Sequence, residues 1–306
     1  PEDKDDRLEV ENGDRTLLVV EDDPHFAGIV AGLARESGFR VLLAKRGIDA
    51  LALARQYKPT AISLDVFLPD MLGWSVLGQL KQDPATRHIP VQVLTLDEDR
   101  YHGLARGAFG FRTKPVTAQE VKESLERIRD FSEQRRRRLL VVDDDTVEQA
   151  SISAFLAHDD LDIVNVGSGM EAMKILRRSP FDCVVLDLRL PDCSGFEVLE
   201  QIRADQMLRD LPVVVFTGRE LTSEEDARLR SLARSVVIKG VESPERLLDE
   251  TTLFLHRVVE HLPAAKQELL QRLHNSDEPL LARSVLVVDD DARNIFALSS
   301  VLERHG

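Results

Sequence analysis

Three times along the chain a run of four apolar residues ends in three consecutive acids. Leu17-Leu18-Val19-Val20 precedes Glu21-Asp22-Asp23, Leu139-Leu140-Val141-Val142 precedes Asp143-Asp144-Asp145, and Val285-Leu286-Val287-Val288 precedes Asp289-Asp290-Asp291. So short an uninterrupted apolar run is too brief to span a membrane. It suits a strand covered on both faces, as in a parallel sheet. The acids then stand at the carboxyl end of that strand, where doubly wound sheets gather their chemistry.

The similarity continues beyond the acids. Leu64-Asp65-Val66-Phe67-Leu68-Pro69-Asp70 returns as Leu186-Asp187-Leu188-Arg189-Leu190-Pro191-Asp192, each followed by a glycine, Gly73 or Gly195. Asp143, Asp187 and Thr217 each stand 122 residues after Glu21, Asp65 and Thr95, whereas Lys239 stands 125 after Lys114, so one loop differs in length. These offsets identify a duplicated domain. Strand-like runs lie near 16–20, 40–44, 61–64, 91–95 and 109–113, then near 139–142, 162–166, 183–186, 213–217 and 236–238. Helical patterns separate them, which predicts two α/β domains with doubly wound parallel sheets and right-handed crossovers.

The spacing divides the chain into an acidic N-terminal linker (1–14), a first domain (15–133), a basic linker (134–138) and a second domain (139–262). A helical linker (263–282) and the truncated start of a third domain (283–306) follow. Thr117 to Gln134 carries a helical stripe of Val121, Leu125, Ile128 and Phe131; Pro244 to Leu262 reads as another helix, and Pro263 opens one reaching about Leu273. A third acceptor at the same spacing falls beyond Gly306, so the expectation is a fragment of a longer protein.

The formal net charge of -14 argues against nucleic-acid binding, and Arg135 to Arg138 reads as a solvated linker rather than a phosphate patch. Cys183 and Cys193 make neither a disulfide framework nor a metal cluster, and their expected role is packing. No apolar run approaches a membrane span, so the expected location is the cytoplasm, with any membrane anchor on a segment outside this sequence. His256, His261 and His274 carry no following kinase-type motif, and neither a glycine-rich nucleotide loop nor a helix-turn-helix is visible.

Several carboxylates at one sheet edge repel one another by roughly 4 kcal/mol per pair at contact and intermediate dielectric. A divalent cation relieves that repulsion, and an oxygen-only donor set favours Mg2+ or a similar hard ion, with Mn2+ an alternative. A lysine opposite the acids can hold an anion, and a threonine hydroxyl can donate to one of its oxygens. Together these groups suit a phosphoryl group carried on the central carboxylate.

The motifs resemble the response-regulator receiver domain of two-component signalling, over nearly all of residues 15–262 and again over 283–306. The resemblance implies flavodoxin-like (βα)5 domains with strand order 2-1-3-4-5, plus an incomplete third. It implies metal ligands Glu21, Asp22 and Asp65, acceptor Asp65, switch hydroxyl Thr95, switch aromatic Phe111 and phosphate partner Lys114. In the second copy the corresponding roles fall to Asp143, Asp144, Asp187, Thr217 and Lys239, and in the third only Asp289 and Asp290 are present. The implied phosphodonor is a histidine kinase or a histidine phosphotransfer domain, and the parent protein resembles a multi-receiver hybrid histidine kinase, although this chain carries no kinase catalytic domain. Strand four, strand five and the last helix of a receiver form the implied dimer surface.

Two alternatives stay open at this level. A Mg2+-dependent aspartyl-phosphate phosphatase needs an acid two residues after its nucleophile, where this chain has Phe67 and Arg189; a scaffold of degenerate receivers needs no turnover at all. The copies also depart from each other. Lys114 is followed by Pro115, in a bond type that is often cis in this family, but Lys239 by Gly240, and Val236 replaces the aromatic Phe111. The second copy is therefore expected to accept phosphate but to signal less through the usual surface. With Phe67 and Arg189 flanking the two acceptors, unequal lifetimes of the two phosphoaspartates are expected. Decay followed site by site after donor removal checks this, and equal half-lives would count against it.

Overall fold

The computed structural model describes residues 5–11, 13–95, 107–132, 136–219, 221–240 and 243–276. The third acidic triplet, with Asp289 and Asp290, lies outside the described residues. The chain divides into two compact bodies, one up to His261 that holds both repeats and one from Leu262 onward.

In the first repeat the order is β1 (Thr16–Val20), α1 (Pro24–Glu36), β2 (Arg40–Ala44), α2 (Gly47–Tyr57), β3 (Ala61–Asp65), α3 (Gly73–Gln82), β4 (Val91–Thr95), β5 (Gly110–Thr113) and α4 (Ala118–Ser132). The second repeat comprises β6 (Arg137–Val142), α5 (Thr146–Leu156), β7 (Leu161–Val166), α6 (Gly169–Leu176), β8 (Cys183–Leu186), α7 (Gly195–Ala204), β9 (Val213–Thr217), α8 (Ser223–Leu232), β10 (Ser235–Ile238) and α9 (Ser243–Phe254). Each repeat builds a five-stranded sheet, ordered β2-β1-β3-β4-β5 and β7-β6-β8-β9-β10, and its paired strands run parallel. The flavodoxin-like 2-1-3-4-5 order is therefore present twice.

Alternation along β1 shows why both faces of the sheet must be covered. Leu17 and Val19 join a core with Val30, Ala31 and Ala34 of α1 and Val121, Leu125 and Ile128 of α4. Leu18 and Val20 face the opposite core, with Leu51 and Ala54 of α2 and Val76, Leu77 and Leu80 of α3. A cation near the end of the third helix ties down the following turn in each copy, buried in the first and half-buried in the second. Lys81 Nζ donates to the carbonyls of Arg87 (2.9 Å) and Ile89 (2.6 Å), and Arg203 Nη1 to those of Arg209 (2.8 Å) and Leu211 (2.9 Å). Burial and the Arg87 charge bring the Lys81 ammonium down to about 7.

Three expectations about local structure change. Arg137 and Arg138, expected in a basic linker, open β6, because Arg138 N–H donates to Asp182 Oδ2 (2.8 Å) and the Arg137 guanidinium lies 3.4 Å from the centre of the Phe131 ring. The helix expected over Pro244 to Leu262 stops at Phe254. His256 takes a left-handed backbone (φ 51) and Arg257 N–H closes back on Thr252 O (3.0 Å). That reversal seats the buried Arg257 in a two-pronged ion pair with Asp160, at 2.8 and 2.7 Å. A 3-10 turn, Val259–His261, follows. In the second body Pro263 precedes the helix α10 (Ala264–Ser276), whose Gln267 amide donates to Leu262 O (2.7 Å).

Both repeats lie in one body and touch through a part-buried pair, Arg87 Nη1 to Asp249 Oδ1 at 2.5 Å, with Arg87 only 3% exposed. His256 stands edge-on to Phe109 and Phe131 beside it. Burial holds His256 well below its ordinary pKa, and His88 falls to about 4 for the same reason, so both imidazoles are neutral at pH 7.

The third change concerns the acidic N-terminal segment, expected as a linker. Strand β2 is the edge of its sheet, and unpaired edge groups need partners. Asp6 supplies them: its N–H donates to Val41 O (2.9 Å) and its carboxylate accepts from Val41 N–H (2.8 Å) and from Arg35. Asp5 accepts from Leu43 N–H (3.1 Å). Although burial works to raise it, the Arg35 and Val41 hydrogen bonds hold the Asp6 carboxyl below its ordinary value. Its contribution to stability is therefore present above the unfolded carboxyl pKa and fades as pH falls through the lower folded value. Asp6→Ala should cost about 1–2 kcal/mol at pH 7 and less at pH 3, measured by urea unfolding at both pH values.

Candidate functional site

In the first repeat, the end of β1 delivers Glu21, the end of β3 delivers Asp65 and the residue after β5 delivers Lys114. Lys114 Nζ lies 2.8 Å from Glu21 Oε2 and 2.7 Å from Asp65 Oδ1. Glu21 and Asp65 are each 4% exposed, while Asp22 is open to solvent. Ligand oxygens of Glu21, Asp22 and Asp65 all lie within 4.8 Å of one another, close enough to share a divalent cation. Burial pushes the Glu21 carboxyl up; Lys114 opposes this, and the Asp65 charge reinforces it. Lys114 is held above its ordinary value: burial lowers it, but its hydrogen bonds to Asp65 and Glu21 outweigh that.

The surrounding residues fix this geometry. Thr95 ends β4 fully buried, and its carbonyl accepts from Lys114 N–H (2.6 Å). The Lys114-Pro115 bond is cis. Phe111 is buried and stacks on Trp74, with ring centres 6.1 Å apart. The loop after Asp65 folds back so that Gly73 N–H donates to Val66 O (2.7 Å). A β-carbon on Gly73 would stand 2.2 Å from Asp65 O, and one on Gly195 2.6 Å from Asp187 O, so both positions require glycine.

The second repeat brings the expected residues together with one addition. Lys239 Nζ lies 3.2 Å from Asp187 Oδ2 and 3.3 Å from Asp143 Oδ2, but its nearest carboxylate is Glu148, at 2.8 Å. Asp144 is exposed, Thr217 is fully buried, and Thr217 O accepts from Lys239 N–H (2.8 Å). Burial raises the Asp143 carboxyl, against the pull of the Asp145 N–H and Lys239. Burial also acts to lower Lys239, but Glu148, Asp187 and Asp143 together hold it above its ordinary value. Arg189 is exposed and reaches toward Gly218, its guanidinium 4.0 Å from where a β-carbon there would stand. Cys183 is buried in β8 and its thiol is pushed far up by burial, in keeping with packing.

Three roles escaped the sequence reading. The third acid of the first two triplets caps a helix: Asp23 accepts from His25 N–H (2.9 Å) and Asp145 from Val147 N–H (2.8 Å). Asp70 and Asp192, in the loops after the acceptors, cap the neighbouring helices α2 and α6 through Gly47 and Ile48, and through Gly169 and Met170. Those loops are thereby fastened to the rest of the domain. Glu148 is the third; its signal was an acid at the position where the first copy has Phe26, again 122 residues apart.

The family model described as "Response regulator receiver domain" matches residues 17–126 and 139–251. Response regulator PleD of Caulobacter vibrioides is 30% identical over 227 residues, covering 65% of this chain and 50% of that protein. The probable transcriptional regulatory protein TcrX of Mycobacterium tuberculosis is 39% identical over 109 residues, covering 35% of this chain and 46% of TcrX. The chain thus spans about half the length of these two relatives. Among solved structures, a putative response regulator from Chloroflexus aurantiacus is 30% identical and matched over 38% of this chain and 97% of its own, with a TM-score of 0.36. The receiver domain of a sensor histidine kinase from Pseudomonas aeruginosa, with a magnesium ion in its active-site cleft, is 29% identical over 38% of this chain and 97% of its own, with a TM-score of 0.35.

Lys114 neutralises part of a buried acid pair, so Lys114→Met should destabilise the protein by about 3 kcal/mol at pH 7. The loss should shrink toward pH 5, as the raised Glu21 carboxyl takes up a proton. In the parent protein the lysine's contribution is present below the unfolded lysine pKa and is lost as pH rises through the higher folded value. Thermal unfolding of both proteins across that pH range checks this.

Proposed function

The chain belongs to the response regulator receiver family, and from that premise we propose that it is a phosphoryl-accepting signalling module with acceptors Asp65 and Asp187. The observation that carries the reading is the ammonium of Lys114 between Asp65 (2.7 Å) and Glu21 (2.8 Å), beside the solvent-exposed Asp22. A carboxylate nucleophile, a cation for the incoming charge and a cluster of further oxygen donors meet at one sheet edge.

In this reading an Asp65 oxygen attacks the phosphorus of a phosphohistidine on a kinase or phosphotransfer domain. The P–N bond breaks with its electron pair remaining on the imidazole. Lys114 follows the transferred charge from the Asp65 carboxylate to a phosphoryl oxygen, and the Thr95 hydroxyl donates to another. Movement of Thr95 toward the phosphoryl group leaves room for Phe111 to leave its stack on Trp74, changing the face formed by β4, β5 and α4. A coupling of about 1–3 kcal/mol of this kind alters partner affinity several-fold or more, dimerisation included.

The donor set fits a hard divalent cation, Mg2+ or Mn2+: all ligands are oxygens, and the raised Glu21 carboxyl marks a buried acid whose charge Lys114 does not fully offset. Glu21, Asp22 and Asp65 would hold it in the first receiver, Asp143, Asp144 and Asp187 in the second. When bound, such a cation supplies charge neutralisation for the attacking and phosphoryl oxygens. As for the whole protein, alignment with PleD runs through both receivers, which supports a multi-receiver signalling parent; a hybrid histidine kinase is the more specific form of that proposal. Among the described residues, no helix is long and apolar enough to cross a membrane.

Incubation with acetyl phosphate and Mg2+, followed by intact-mass measurement, tests the reading. Two base-labile phosphoryl additions are expected, one lost in Asp65→Asn and the other in Asp187→Asn. Glu21→Gln should weaken both Mg2+-induced thermal stabilisation and charging of the first receiver. Absence of any Mg2+-dependent addition would favour a scaffold, and rapid release of phosphate without a lasting adduct would favour a phosphatase.

A further inference from the structure

The two sites differ most at one corresponding position. In the first receiver Lys114 sits over the ring of Phe26, its Nζ 4.7 Å from the ring centre, and pairs with Glu21 and Asp65. In the second, Glu148 occupies that position and is the carboxylate nearest Lys239, at 2.8 Å. The lysine's distances to the acceptor and the first acid are 3.2 and 3.3 Å there, against 2.7 and 2.8 Å in the first receiver.

An acid in the first turn of a helix is ordinary, because the helix dipole favours it. Glu148 does more than stand there. Its backbone N–H is capped by Asp145 (3.3 Å), while its side chain turns inward, 30% exposed, to reach the lysine of the site. A phosphoryl group arriving at Asp187 needs that ammonium for its own oxygens, and it meets one more carboxylate beside the lysine than it does at Asp65.

We propose that Glu148 is a positioning residue that holds Lys239 away from the incoming phosphoryl group, making the second receiver the slower of the two to charge. The inference rests on the phosphoryl-accepting reading given above. With acetyl phosphate the step forms a bond between an Asp187 oxygen and phosphorus and breaks the donor's P–O bond, whose electron pair leaves on acetate. Lys239 can follow the phosphoryl charge only by giving up Glu148.

The test measures charging by acetyl phosphate in Asp65→Asn protein, where the second receiver alone reports. Glu148→Gln should raise the initial rate by about fivefold, the factor that loss of one partly exposed ion pair supports. It should also tighten binding of beryllofluoride, a phosphoryl mimic, and Glu148→Asp should restore the slow behaviour in part. Raising ionic strength should narrow the difference between Glu148→Gln and its parent, because salt screens the pair. The reciprocal Phe26→Glu in Asp187→Asn protein should slow the first receiver. An unchanged or lower rate in Glu148→Gln overturns the inference, and so does an unaffected Phe26→Glu. Charging of Asp65 in a chain whose Asp187 stays silent even with Glu148→Gln overturns this inference alone. Silence at both acceptors overturns the underlying reading as well.

Discussion

A single ammonium among buried carboxylates organises each carboxyl edge. Without Lys114, the largely desolvated Glu21 and Asp65 would face each other across an interior edge with no positive charge between them. Such an arrangement is costly because desolvated like charges repel strongly in a low-dielectric setting. With the lysine in place the site is tolerable but not neutral: one ammonium faces two carboxylates, and burial still holds Glu21 above its ordinary pKa. That residual negative charge makes the edge receptive to a divalent cation. The ammonium, at the end of a long side chain, can follow an anion that arrives there.

The fold serves this interaction by fixing backbone ends rather than by enclosing a cavity. Strands β1 and β3 are neighbours in the sheet, so their last residues emerge side by side, and β5 brings Lys114 back along the same edge. The loop after the acceptor is closed by Gly73, where a side chain would strike the Asp65 carbonyl, and anchored by Asp70 on the start of α2. The same devices recur around Asp187 with Gly195 and Asp192. These motif residues act on the position of the acceptor without touching its carboxylate.

Duplication supplies an internal comparison. Sheet order, glycine, helix caps and the cation at the end of the third helix are common to both copies, so they belong to the architecture. Around the acceptor the copies differ: Phe26 and Phe67 in one, Glu148 and Arg189 in the other. One site is flanked by apolar rings, the other by a pair of opposite charges. Two sheets of the same order thus present the same carboxylate in two electrostatic settings.

The parallel strands and the edge that carries the acids were legible in the sequence, because a twice-covered strand must be apolar throughout and the acids had to follow it; the strand order followed from the family resemblance. Spacing between repeats carried the rest: a matched offset locates a residue without any knowledge of its contacts. Contacts between distant segments were not legible. Asp5 and Asp6 read as a charged tail until β2 proved to be an open edge with N–H groups to satisfy. The helix after β10 carried no stop signal at Phe254; its end is set by Arg257 reaching Asp160, 97 residues earlier. Glu148 stands in the sequence as one acid among many, since helix periodicity cannot say which side chain meets a lysine 91 positions later. Local pattern determined where the strands run and which edge carries the acids. Tertiary structure decided which charges pair there, because ion pairs depend on distances between elements that the sequence does not record.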